Sequence, residues 1–414
     1  MNQTTGITVG RQRPDARAAL EAPGAGIASL YIHVPFCFHK CHYCDFYSFV
    51  DSRDRQAEFV DALGLELAAI SPAAGPLKTI FVGGGTPSLL RPDLWQNLLA
   101  MLRDRFDLSQ LREFTVECNP ETVTSELAGV LQAGGVTRAS VGAQSFDPRH
   151  LKTLERWHDP ENVERSLAAL RQAGIVRRSV DLIFGIPGQT LGEWESDLDT
   201  ALGLLGGDGV EHVSAYALTY EQGTAMTKKL ELGRLEAIDE DTEVDMQLLT
   251  WSKLEARGYE RYEVSNFAQA GAECLHNLAY WRQEQWLAAG PSASGHARGH
   301  RWKNIPRLTD WMESVRSTGG WSSVVDLETP QPTRALAELI MTGLRLREGL
   351  SLDDLTDRAA EAGAEARLKR EIDRFADRGE IRVFPDGRLR LIDRGWLFAD
   401  GIAAALMASL DPRP

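Results

Sequence analysis

SLYIHVPFCFHKCHYCDF, residues 29–46, carries an apolar β-rich run from Leu30 to Phe36 straight into Cys37, Cys41 and Cys44, spaced C-x3-C-x2-C. Three of the chain's five cysteines fall within eight positions, and the other two, Cys118 and Cys274, lie far away. That is not the even, dispersed framework of a disulfide-rich secreted protein, so a reducing, cytoplasmic compartment is expected. Thiolates select zinc, copper(I) or iron–sulfur clusters. A structural zinc site is closed by four protein ligands and would have to recruit His33, His39, His42 or a distant residue. A [4Fe–4S] cluster on three cysteines leaves one iron with an open position, which a chelating small molecule can fill.

Further β-rich runs follow at 78–84, 113–118, 138–146, 178–187 and 212–219. Between them, residues 55–70, 92–106, 125–135 and 160–174 place apolar side chains three and four apart, as helices do. Strands that read as near-continuously apolar, alternating with helices, predict a buried parallel sheet, either open or closed into a barrel. Each strand then meets a polar or glycine-rich feature at its C-terminal end. They are the cysteines, Gly83-Gly84-Gly85-Thr86-Pro87, Glu117 with Asn119, Gln144, and Asp181 within the fifth run. Ligands of such folds sit at that end, where the loops converge.

The organisation expected from these patterns is a disordered leader over 1–27, a partial (β/α)6 core over 28–225, an extension over 226–325 and a C-terminal domain over 326–414. The leader has no apolar stretch of signal-peptide type, and Asp15 and Glu21 argue against an organelle transit peptide. In the extension, AAGPSASGH (288–296) reads as a small-residue loop. The C-terminal domain reads as helices plus a hairpin turning at Pro385-Asp386-Gly387, a winged-helix-like pattern. A formal net charge of −14, with no basic block against it, excludes nucleic acid as the main partner. No apolar run has the length of a membrane span.

The cysteine spacing on the loop after the first strand, Tyr43 before the last cysteine, and GGGTP after the second strand together resemble the radical S-adenosylmethionine (SAM) superfamily. The resemblance implies a [4Fe–4S] cluster on Cys37, Cys41 and Cys44 whose fourth iron binds the amino and carboxylate groups of SAM. Within the superfamily the chain is most similar to the subgroup of oxygen-independent coproporphyrinogen III dehydrogenase. Positions matching that subgroup's SAM contacts are Tyr31, Tyr43, Gly84, Gly85, Thr86, Glu117, Gln144, Arg156 and Asp181, with the region of Ala215 as a further candidate. Chemically the set is suitable: carboxylates and amides for an amine and a ribose diol, glycines for close backbone approach, and tyrosines for an adenine face.

Two features separate branches of the subgroup. The porphyrinogen-oxidising enzymes carry a further cysteine two residues after the third, where this chain has Phe46. HNLAYW, His276 to Trp281, resembles the H-N-x-x-Y-W signature of the HemW-type haem chaperones. That resemblance implies haem binding, delivery of haem to haem-accepting respiratory proteins, homodimerisation, and peripheral contact with membranes through partners. His276 offers an imidazole to haem iron, and Cys274 is a thiolate alternative. The same residues equally suit a packed, hydrogen-bonded segment capping the barrel. The competing function is oxidative decarboxylation of coproporphyrinogen III.

Overall fold

The computed structural model describes residues 14–21, 26–204 and 211–411. Six strands lie side by side in chain order, all parallel: β1 (Ile27–Val34), β2 (Ala74–Gly84), β3 (Glu113–Cys118), β4 (Arg138–Gln144), β5 (Arg177–Phe184) and β6 (His212–Ala217). The helices expected between them form at Gln56–Ile70, Pro92–Arg105, Ser125–Ala133 and Glu161–Ala173. Two more, Pro148–Leu154 and Leu191–Leu204, complete the α/β alternation.

The strands are not continuously apolar, as expected, but alternate. Side chains two apart share a face of the sheet. Leu30, Ile32, Val34, Ile80, Val82, Phe114, Val116, Val180 and Leu182 form one face, buried in one core with Trp95 and Trp194 of the helices. The other face carries Ser29, Tyr31, His33, Thr79, Phe81, Thr115, Glu117, Ser140, Ser179, Asp181 and Ser214. The register keeps these in cross-strand rows, such as Tyr31, Phe81 and Thr115, or Glu117, Ser140 and Ser179.

Residues 226–325 supply three strands of this sheet. β7 (Glu260–Arg261) and β8 (Asn266–Ala268) extend it beyond β6, antiparallel, and β9 (Leu287–Ala289) extends it beyond β1, parallel. The expected loop at 288–296 is therefore largely strand, supplying β9 and the start of β10 (Ser294–Ala297). The nine-stranded sheet stays open, a partial barrel, and the chain between β8 and β9 crosses its polar face. β10, β11 (His300–Asn304) and β12 (Val324–Glu328) form a small antiparallel sheet.

The C-terminal unit starts at the helix Pro332–Gly343, a few residues after the expected boundary, because β12 still pairs with β11. It has its own apolar core and a sheet ordered β13 (Leu350–Ser351), β15 (Arg388–Leu391), β14 (Ile381–Val383), with the hairpin turn where expected. At the joint, Arg261 lies between the rings of Trp251 and Trp396, 4.0 Å from each. Of the expected leader, residues 14–21 are ordered and the rest, apart from 26 and 27, lies outside the described residues. Ala16, Ala19 and Leu20 bury one face of a helical turn, Asp15 bridges Ser323, and Arg17 sits 5.6 Å over Trp321. Among the described residues no helix is long and apolar enough to cross a membrane.

A buried ion pair fixes the crossing segment. Arg138 Nε donates to Glu113 Oε2 at 3.1 Å, and Arg138 Nη2 donates to the carbonyls of Ala272 (2.7 Å) and Glu273 (3.0 Å). Glu113 also accepts from the backbone N–H groups of Leu275 and His276, both at 3.0 Å, capping the helix Leu275–Trp281 with negative charge at its N-terminus. Arg138→Met leaves that carboxylate buried without its cation. It is expected to cost about 3–5 kcal/mol of stability, measured as a lower denaturant midpoint.

Candidate cluster and cofactor site

The loop after β1 is a closed excursion. Phe49 N donates to Pro35 O and Cys37 N donates to Phe49 O, both at 3.0 Å, so residues 37–48 leave and re-enter at one point above the sheet. Tyr43 anchors the loop by packing with Leu154, Ile183, Ile186, Leu218 and Met226. This leaves Cys37, Cys41 and Cys44 as half-buried free thiols on one turn. Thr86 Oγ1 lies 3.5 Å from Cys37 Sγ and Arg156 Nη1 3.9 Å from Cys41 Sγ, so a hydroxyl and a guanidinium face the sulfurs. Burial pushes the Cys44 thiol up to about 11, so metal binding there must displace a proton. The histidines that a zinc site would recruit are engaged elsewhere. His39 stacks on Trp157 at 4.2 Å, His42 Nδ1 meets Lys229 at 3.0 Å, and His33 lies within the sheet's polar face. A three-thiolate cluster fits the donor set better than a closed tetrahedral ion.

Beneath the loop, the glycine triplet serves the protein's own packing. A Cβ on Gly83 would stand 2.8 Å from Glu117 Oε2, and one on Gly84, at φ +107°, 2.5 Å from the His33 ring. The triplet thus lets His33 and Glu117 close against β2, and Gly84 N donates to Glu117 Oε2 at 3.0 Å. His33 has a fixed tautomer: the Tyr47 carbonyl can only accept, so Nε2 carries the proton (2.8 Å) and Nδ1 accepts from the Tyr31 hydroxyl (3.0 Å). Burial lowers its pKa to about 4 and keeps it neutral. Burial raises Glu117 to about 7, with the Asp181 charge adding to the effect against the Gly84 bond. Asp181, raised mainly by burial, accepts from Ser140 Oγ on both oxygens at 2.9 and 2.8 Å. Gln144 sits in the left-handed region at φ +66°, beside a register shift that ends β4, a conformation uncommon for a non-glycine residue. Arg156 Nη2 donates to Gly142 O at 2.8 Å, beside it.

Cys37, Cys41, Cys44, Tyr43, Gly84, Gly85, Thr86, Glu117, Gln144, Arg156 and Asp181 therefore converge on the C-terminal rim of the sheet. Tyr31 lies one row lower, its ring 6.2 Å from Phe81. Ala215 points into the helix-side core, and its neighbour Ser214 faces the polar side beside Asp181.

His276 is elsewhere. HNLAYW is the helix Leu275–Trp281, lying across the polar face near the strands' N-terminal ends as a floor. The His276 ring is 1% exposed, 5.3 Å from Phe81 and 4.7 Å from Tyr280. Four residues of β1 separate Ser29, at this level, from His33 at the rim, a rise of about 13 Å. Thr79 Oγ1 donates to Ser29 Oγ at 2.9 Å, so it accepts from His276 Nδ1–H at 2.8 Å, and Nε2 is a buried lone pair with no protein partner. Asn277 donates to the Tyr262 hydroxyl at 3.2 Å, which also meets His212 Nε2 at 2.9 Å. The packed, hydrogen-bonded cap is what the motif forms. The alternative thiolate, Cys274, is buried against Glu113, and its pKa is raised by burial.

Sequence reading had His33 only as a possible zinc ligand and missed Ser140 and Thr79 as members of these layers. The period-two polarity of SLYIHV and KTIFVG was the signal that could have found the first and third.

The Radical SAM superfamily pattern matches residues 31–201, and the HemN C-terminal domain pattern matches 331–398. Heme chaperone HemW of Mycobacterium tuberculosis is 36% identical over 402 residues, 94% of this chain and 99% of its own. HemW of Bacillus subtilis is 37% identical over 326 residues, 78% of this chain and 84% of its own. The solved structure of coproporphyrinogen III oxidase (HemN) from Escherichia coli, a radical SAM enzyme, shares the fold. Its TM-score is 0.78 at 20% identity, with 92% of this chain and 90% of that chain covered.

Replacing Cys37, Cys41 or Cys44 by Ala is expected to abolish iron and sulfide uptake on anaerobic reconstitution. Cys118→Ala is expected to retain it, because that thiol is buried on the helix side of β3, 3.7 Å from Val116 O. Visible absorbance and iron content of the reconstituted variants decide this.

Proposed function

We propose, for a chain that belongs to the HemW heme chaperone family of the radical SAM superfamily, that it binds haem and passes it to haem-dependent respiratory proteins in the cytoplasm. The observation that carries this reading is the near-full-length likeness to HemW chaperones, which runs through the floor of the sheet as well as its rim. Cys37, Cys41 and Cys44 hold a [4Fe–4S] cluster, which supplies a redox centre and an iron with an open position for SAM. Thr86 and Arg156 stand beside the thiolates, and Glu117 takes the ligand's amine. Asp181 and Gln144 accept from its polar edges, and Tyr43 and Tyr31 flank it. Phe46, 61% exposed, occupies the position where the porphyrinogen-oxidising relatives carry a further cysteine. The likeness to the HemN oxidase is one of fold.

His276 enters this reading as the centre of the floor. Thr79, Phe81 and Tyr280 enclose its ring, so a macrocycle reaches Nε2 only if the helix Leu275–Trp281 moves away.

Two outcomes are expected. Reconstituted protein takes up haem, read by its Soret band, and forms no protoporphyrinogen from coproporphyrinogen III; robust decarboxylation would transfer the chain to the oxidase reading. SAM binding is also expected to depend on pH. Glu117, raised to about 7, is neutral below that value and anionic above it; the anion is the stronger acceptor for the N–H groups of an iron-bound amine and the only form that attracts the ligand's sulfonium charge. Affinity by calorimetry should therefore rise as pH increases through about 7, and Glu117→Gln should flatten the profile.

A further inference from the structure

Each of the three sulfurs after β1 faces a hydrogen-bond donor of its own. Thr86 Oγ1 donates to Cys37 Sγ at 3.5 Å, and Arg156 Nη1 donates to Cys41 Sγ at 3.9 Å. Cys41 also takes the Tyr43 hydroxyl, and Cys44 takes the backbone N–H of Phe46.

The first two donors come from outside the cysteine loop, and the backbone is shaped to deliver them. Gly85 N donates to Val34 O and Thr86 N to Phe36 O, both at 2.7 Å, so the end of β2 presses on the residues that lead into Cys37. A Cβ on Gly85 would stand 2.7 Å from Phe36 O, and a glycine is what permits that approach. Thr86 is buried, and its hydroxyl is directed at the sulfur. Arg156 arrives from the opposite side. The helix Pro148–Leu154 ends on Glu155 in the left-handed region, at φ +55°, and Arg156 N then donates to Leu151 O at 2.8 Å, which turns the chain back toward the loop. Nη2 is fixed on Gly142 O at 2.8 Å, and Nη1 is left to the sulfur. Arg138 is held by the carboxylate of Glu113, whereas Arg156 takes a carbonyl and a sulfur, with no carboxylate in ion-pair reach among the described residues.

One-electron reduction of a [4Fe–4S] cluster adds a negative charge that is shared by its sulfurs. Donors and cations facing those sulfurs stabilise the reduced form more than the oxidised one, and hydrogen bonding to the sulfurs is one of the terms that set the potential. We propose that Thr86 and Arg156 tune the cluster, their donors to Cys37 and Cys41 raising its reduction potential so that an electron from an external one-electron donor is held at the rim. The step is [4Fe–4S]2+ plus one electron giving [4Fe–4S]1+, with no bond made or broken. This rests on the three-thiolate cluster reading and assigns to these two side chains a role toward the sulfurs.

An anaerobic potentiometric titration of the reconstituted full chain, without SAM and with dithionite as the reductant, tests it. The reduced cluster is read by electron paramagnetic resonance in wild type, Thr86→Val, Arg156→Met and Arg156→Lys, after iron and sulfide contents have been measured for each. Thr86→Val, nearly the same shape without the donor, is expected to load the cluster and to show a more negative midpoint. Arg156→Met is expected to lower the reduced-to-oxidised ratio at a fixed potential at least tenfold, a shift of about 59 mV for a one-electron couple. Arg156→Lys keeps the charge and is expected to recover part of that shift. A merely structural role would lower the iron content and leave the midpoint of the remaining clusters where it is in wild type; that result in Thr86→Val and Arg156→Met, or unchanged midpoints in fully loaded variants, would overturn the tuning alone. A wild type that takes up no cluster would overturn the cluster reading and the tuning with it.

Discussion

A sheet with one apolar and one polar face must satisfy the polar one. Period-two alternation in six parallel strands sends the apolar residues into the helix-side core and the hydroxyls, carboxylates and imidazoles to the opposite face. Left dry and unpaired, those groups would each cost more than a hydrogen bond returns. The chain answers with two closures. The cysteine loop covers the C-terminal rim, and the segment from β8 to β9 crosses the N-terminal end as a floor. The buried Glu113–Arg138 pair ties that floor to β3 and β4, and it is held together mainly by what would be left uncompensated if either partner were lost.

The two closures make different environments out of one polar face. At the floor, hydroxyls and imidazoles pair with each other in chains such as Ser179, His212, Tyr262 and Asn277, so these members are uncharged and hydrogen-bonded. At the rim, two carboxylates, Glu117 and Asp181, are buried with one another's charge in reach, and their pKa values are pushed up by burial. Such groups gain when a cation arrives, which is the electrostatic reason this end suits a cationic ligand.

Much of this was legible in the sequence. The six strands and four of the helices between them lie within a few residues of where hydrophobic spacing put them, and the rim residues of the radical SAM resemblance do converge. What failed to read was non-local. β9 is Leu287 and the first two residues of a small-residue stretch, with no propensity that distinguishes it from a loop, and it becomes a strand where β1 offers an open edge. The near-continuous apolar impression of the strands came in part from Tyr31 and Phe81, aromatic residues that line the polar face. For His276 the sequence offered both a haem ligand and a packed, hydrogen-bonded cap. Its enclosure is imposed by Thr79 and Phe81, about two hundred residues earlier in the chain and invisible to any local pattern.

HNLAYW is a wall between the polar face of the sheet and the C-terminal unit. Its His276 and Asn277 face the sheet, bonded to Thr79 and Tyr262, while Tyr280 leans on Trp286 and through it on the His296 side. Its C-terminal end carries the C-terminal unit: Arg345 lies 5.0 Å over Trp281, Arg282 pairs with Glu348, and Arg347 N donates to Tyr262 O at 2.9 Å. The helix is thus clamped at its first residues by the barrel and at its last by the neighbouring unit. Any displacement of it would alter the floor of the sheet and the joint with the C-terminal unit together, since the same seven-residue helix meets both.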